Sequence, residues 1–178
     1  MKKGIFASLI MGISMLSGMG VAKADEGAHV MHWPSCIRDI AIEQNLPSDI
    51  LIALIKTEGG HVGTERYNPP PKGRRYGSYD LGIMQVNDVT WLNKIAQMHF
   101  DGDMKLARDT VKNSRCYNVS LGAWIFKGYL VEAHGDFATA VGYYNSHTPI
   151  YMHRYQHTVA NNLLEVRKVM KATGYSGQ

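Results

Sequence analysis

The sequence predicts an α+β domain, predominantly α-helical, with one irregular lobe set among its helices. Three observations lead there. Apolar residues recur at i, i+3, i+4 and i+7 in several separate segments, the spacing of a helix that buries one face. The stretch 59–79, with "NPPPKGRRYGS" inside it, interrupts that periodicity with three successive prolines. Proline cannot continue a helix and is excluded from the middle of a sheet, so a loop is expected there. A chain of 178 residues is also too short for more than one ordinary domain.

At the start, Lys2 and Lys3 precede an apolar run from Ile5 to Val21, and "AKA" at 22–24 supplies small residues for cleavage. This is the pattern of a secretory signal peptide, which makes residues 1–24 a leader and Asp25 the first mature residue. An uncleaved anchor is the alternative, and the polar "DEG" that follows argues against it. No cysteine closes the leader, so a lipid anchor has no attachment point. The remaining 154 of 178 residues suffice to bury about 70% of the unfolded surface. The formal charge is +4, but Lys2, Lys3 and Lys23 depart with the leader and leave a balance of +1. Neither that balance nor any long basic run points to nucleic acid.

A first helix is expected between Ser35 and Asn45, where Ile37, Ile40 and Ala41 share a face. "NLPSDILIALIKTEGG" restarts one: Pro47 suits a first turn, Asp49 favours a helix start, and Gly59-Gly60 ends it. A loop this long at 59–79 seldom survives in a compact domain unless it lines a site. "YDLGIMQVN" follows as a short extended or turn segment around Gly82. Asp88 then caps a helix to about Gln97, and a weaker helix runs from Asp103 to Lys112. "NVSLGAWIFKGYLVEAHG" reads as a long buried helix with Leu121, Trp124 and Ile125 on one face and Gly135 as its stop. Phe137, Ala140, Val141 and Tyr144 mark another helix. The last, from about Pro149 to Ala172, carries Tyr155, Val159, Leu163, Val166 and Met170.

Two cysteines, Cys36 and Cys116, occur in the chain. In an exported protein an even count favours a disulfide, here closing a loop of about 80 residues worth about 4 kcal/mol in the chain-entropy model. Free thiols, or pairing with a partner, are the other possibilities.

The candidate catalytic residue is Glu58. Leu51, Leu54, Ile55 and Glu58 fall at i, i+3, i+4 and i+7, so a carboxylate stands where the stripe calls for another leucine. Burial there disfavours its charged form and raises its pKa. An acid protonated near neutrality can donate a proton to a glycosidic oxygen. By itself the pattern also allows a plain glutamate turned outward at a frayed helix end.

Three segments, taken in order, decide between these. "LIALIKTEGG", "SYDLGIMQVN" and "AVGYYNSH" resemble the catalytic-glutamate helix, the G-[LI]-M-Q segment and the A-x-x-Y-N segment of the soluble lytic transglycosylases, which have a lysozyme-like domain. Between them, "CYNVSLGAWIF" is similar to the family's core helix. It includes the cysteine carried by the small exported members that accompany secretion, conjugation and pilus systems. The resemblance spans about 36–165, within a single domain at 25–178. It implies that Glu58 is general acid and then general base, and that Gln85 and the backbone near Met84 line the sugar groove. It also implies that Tyr144 orients Glu58 and that Asn145 shapes the same wall. An amide offers both donor and acceptor to sugar hydroxyls and N-acetyl groups, and a thioether packs on an apolar ring face. The implied substrate is the glycan strand of peptidoglycan. The implied location is the periplasm or beyond, with subunits of a secretion, conjugation or pilus apparatus as partners and no metal or cofactor. Two positions depart from the family: Gly59 stands where many relatives have Ser, and His147 where Gly is usual. Both bear on fine positioning rather than on Glu58 itself.

Ordinary glycosidases use two acids about 5 to 9.5 Å apart. The nearest in sequence are Glu65, expected to be solvated in a polar loop, and Asp80, expected to form a turn by bonding its own backbone. The family reading needs neither: the acetamido group of the substrate stabilises the cation and its C6 hydroxyl closes a 1,6-anhydro ring. If either acid activates water instead, the enzyme is a lysozyme-type hydrolase. His61, three residues beyond Glu58, could tune it or touch substrate. His153 and His157, at i and i+4, have zinc-like spacing, but without HExxH or a neighbouring acid an exposed helical pair is expected.

Overall fold

Apolar stripes and capping residues place the helices, and the interruption between them folds into a small sheet. The computed structural model describes residues 36–175; the expected leader at 1–24 lies outside the described residues. Among the described residues the helices are α1 (Ile37–Glu43), α2 (Ser48–Glu58), α3 (Asn93–His99), α4 (Met104–Asn113), α5 (Arg115–Glu132), α6 (Phe137–Asn145) and α7 (Pro149–Thr173). Three short strands, β1 (Glu65–Asn68), β2 (Ser78–Leu81) and β3 (Val86–Asn87), form an antiparallel sheet in the order β1-β2-β3. The chain is therefore α+β and mostly helical, as expected.

α5 is the central element. Val119, Leu121, Ala123, Ile125 and Phe126 are all buried along it, and it packs against α1, α4, α6 and β3. α7 lies against both α2 and α6. In α2 the buried face is broader than one stripe: Leu51, Ile52, Ala53 and Leu54 are all buried, whereas Ile55 is only partly so. Gly59 ends that helix in the left-handed region at φ 62°, a conformation that costs a side-chain-bearing residue more than glycine.

Three expectations are corrected. The stretch 59–79 is not all loop, because 65–68 pairs with 78–81 in the register Glu65↔Leu81 to Asn68↔Ser78. The strand is short and almost wholly exposed, so it carries no alternating apolar pattern to announce it. Asn87, not Asp88, caps the next helix: its side chain accepts from Thr90 N at 3.1 Å, and the first turn, Asp88–Leu92, is a π-turn. Asp88 instead accepts from Tyr79 N at 2.8 Å and from Arg108 Nη1 at 2.7 Å, joining strand, turn and α4. α5 also begins three residues before the expected Asn118, which brings Cys116 into its first turn.

The Cys36–Cys116 disulfide is present, with Cα atoms 5.9 Å apart. It fastens the residue before α1 to the start of α5.

Candidate active site

Glu58 is the last residue of α2 and is partly buried. Its neighbours hold it from three elements. The Tyr155 hydroxyl, on α7, donates to Oε1 of its carboxyl group. Arg66 of β1 donates from Nη2 to its backbone carbonyl at 3.5 Å. Asp80 of β2 is close enough for its negative charge to act on the carboxyl. The Glu58 pKa is raised from the usual 4.5 to about 7, chiefly because burial disfavours the charge. The Tyr155 hydrogen bond pulls the other way, the charge of Asp80 pushes it up, and Arg66 lowers it slightly. The result is an acid that is protonated near neutrality, held at one oxygen and still reachable from solvent.

The 82–85 turn abuts this carboxyl-bearing helix end. A Cβ at Gly60 would run into the backbone carbonyls of Gly82 and Ile83 and the Gln85 amide, so only glycine permits this approach. The turn is fixed from below by Asn118, which is 1% exposed. Asn118 Oδ1 accepts from Met84 N at 2.7 Å, and its Nδ2 donates to Leu81 O at 2.9 Å and Val111 O at 3.0 Å.

The sequence-nominated residues fall out unevenly. Met84 is 0% exposed, so its thioether is core and has no surface to offer a sugar; only its backbone remains available to a groove. Gln85 is 8% exposed. Its Nε2 donates to Gly82 O at 2.6 Å, and its buried Oε1 has no partner among the described residues. Tyr144 does not bond Glu58. Its hydroxyl donates to Met84 O at 3.1 Å, and its ring stacks 6.5 Å from that of Tyr155, which makes the bond expected of Tyr144. Burial holds both phenols well above their usual range, with the Glu58 charge next in effect, so both stay neutral donors. Asn145 is exposed at the end of α6.

The other acids separate clearly. Glu65 is engaged by Arg108 and by Lys112, the latter at 3.3 Å, and the Arg108 hydrogen bond chiefly lowers its pKa. Asp80 does not turn back on its own backbone. Its Oδ2 accepts from Asn68 Nδ2 at 2.7 Å and its Oδ1 from Asn87 Nδ2 at 2.8 Å, so both oxygens act as acceptors. His61 bonds locally, to Thr64 through its N–H and to Val62 O through Nδ1, and has no role in the Glu58 shift. His153 and His157 are exposed, and no cluster of metal-ligating side chains occurs among the described residues.

Sequence reasoning missed Tyr155, Asn118 and the two amides on Asp80. Tyr155 lay on a recognised stripe of the last helix, and the signal available was a hydroxyl-bearing residue at an aliphatic position, the same irregularity that singled out Glu58. No described helix is long and apolar enough to cross a membrane. Comparison with protein-family models, curated proteins and solved structures yields no match of any of the three kinds.

Proposed function

We propose that the protein is a lytic transglycosylase with a lysozyme-like domain, cleaving the β-1,4 bond between N-acetylmuramic acid and N-acetylglucosamine in peptidoglycan. The observation that carries this reading is Glu58 itself, a helix-end carboxyl whose pKa is raised to about 7 while one of its oxygens receives the Tyr155 hydroxyl. Protonated Glu58 gives its proton to the glycosidic oxygen, and the bond to the muramic C1 breaks. The acetamido group of the substrate stabilises the cation. The carboxylate, steadied by Tyr155 on Oε1, then takes the proton of the C6 hydroxyl as that oxygen closes on C1. The acid is restored and no water is consumed. Opening the wall for a secretion, conjugation or pilus apparatus fits the Cys36–Cys116 disulfide, which suits an oxidising compartment outside the cytoplasm.

The test is clearing of purified cell wall in a gel. Wild-type protein is expected to clear it and Glu58→Gln to lose at least about a hundredfold in rate, since acid–base catalysis contributes that much or more. Equal clearing by both ends the catalytic reading and leaves a non-catalytic glycan-binding assembly factor.

A second reading, a lysozyme-type hydrolase, is favoured by Asp80. A carboxylate with both oxygens accepting amide hydrogens, and near enough to raise Glu58, has the arrangement a water-activating or cation-stabilising partner needs. Mass spectrometry of the products separates the two: anhydro-muramic ends support the transglycosylase, reducing muramic ends the hydrolase.

A further inference from the structure

A cavity of about 260 Å³ lies between α5 and the segment of Trp91 and Lys94, outside the residues that hold Glu58. Trp124, Lys127, Gly128 and Val131 fall at i, i+3, i+4 and i+7 of α5 and so share one stripe. Trp91 of the π-turn and Lys94 of α3 complete the walls. The two indoles meet edge to face with centroids 5.6 Å apart. Lys94 Nζ lies 4.9 Å from the Trp124 ring centre and 5.8 Å from that of Trp91. Among the described residues neither Lys94 nor Lys127 takes part in a salt bridge.

Gly128 is the informative residue. Glycine in a helix interior is less stable than alanine, and such a position normally has a packing or backbone reason. Here there is none: a Cβ at 128 would meet nothing within 4 Å. What the missing side chain leaves open is the cavity itself. Val131, 71% exposed, adds an apolar rim. Two cations without acids, two indoles and an unfilled floor describe a receptor for a small group with an apolar face and a negative charge.

We infer that this cavity is a second binding site for the cell-wall strand, taking a carboxylate-bearing saccharide-peptide fragment. Its carboxylate sits between Lys94 and Lys127, and a sugar or acyl face lies on the indoles. The inference rests on the lytic reading for the choice of wall material. The geometry links the two sites: Trp91 lies 6.5 Å from the Tyr129 ring, and Tyr129 lies 6.4 Å from Tyr144, the neighbour of Glu58. The two sites therefore share one row of aromatic side chains packed against the core.

The test uses the full chain carrying Glu58→Gln, titrated by calorimetry with a purified N-acetylglucosaminyl-N-acetylmuramyl tetrapeptide and, as neutral control, with chitotetraose. Gly128→Leu fills the floor and is expected to weaken the acidic fragment at least tenfold while its thermal unfolding stays at or above that of the parent. Lys94→Gln with Lys127→Gln is expected to weaken the acidic fragment about tenfold and chitotetraose less than twofold. Affinities within twofold across all variants overturn the site, as does equal loss for both ligands. So does tighter binding of an acidic peptide without sugar, which would assign the cavity to a protein partner. Wall clearing by the wild type alongside unaltered affinities removes this site and leaves the lytic reading standing. Absent clearing with variant-sensitive binding does the reverse.

Discussion

At position 58 two opposing effects set the carboxyl pKa. Burial raises the carboxyl pKa, and the Tyr155 hydroxyl, by stabilising the anion, holds it down. Tyr155→Phe removes only the second effect. Under the proposed activity, the alkaline limb of the pH profile for wall clearing is then expected to move upward, with about a tenfold lower maximum from lost positioning. An unmoved limb would mean the hydroxyl does not govern this acid. The same shift carries a stability cost with a definite sign. Folded Glu58 keeps its proton up to about pH 7 while the unfolded chain releases it near 4.5, so stability falls as pH rises through that window. Above it the cost is about 3 kcal/mol. Glu58→Gln is therefore expected to match wild type in urea unfolding near pH 4 and exceed it by about that amount at pH 8. Glu58 was legible because a carboxyl on a leucine stripe violates the pattern. The choice of Tyr155 over Tyr144 was not. Both sit on stripes of their own helices, and which hydroxyl reaches Glu58 is decided by how α6 and α7 pack, where Gly142 leaves room for Met152.

Among the elements, the 82–85 turn depends on one side chain. Asn118→Leu keeps much of the shape but takes from Met84 N–H and Val111 C=O the bonds that Asn118 makes, while Leu81 stays paired with Val86 in the sheet. At about 1–3 kcal/mol for an unsatisfied buried group, a total loss near 4 kcal/mol is expected by urea unfolding, together with lost wall clearing. Sequence pattern located this turn through Gly82 and located every described helix, since periodicity and caps are local. It missed the sheet because β1 has no apolar alternation, and its pairing with β2 is a contact across thirteen or so residues that no local signal encodes. Asn87 and Asp88 are both good caps, and Arg108 together with Tyr79 N claims the second, leaving Asn87 to the helix.

For the molecule as a whole, the Cys36–Cys116 link closes a loop of 80 residues that contains α1, α2, the sheet, the π-turn, α3 and α4. Replacing both cysteines by serine is expected to lower stability by about 4 kcal/mol, read by urea unfolding with and without reductant. That is a large share of what a domain this size possesses. The link was foreseeable from an even cysteine count and α5 from its apolar run as a long buried helix; which elements pack on it was not, because no local signal encodes contact partners. The Tyr155–Glu58 bond spans 97 residues, from early in the described chain to its final helix. A nascent polypeptide therefore displays its acid long before it acquires the phenol that tempers it. The pair can assemble only once synthesis has passed residue 155, so products cut short of it carry the carboxyl group without its partner.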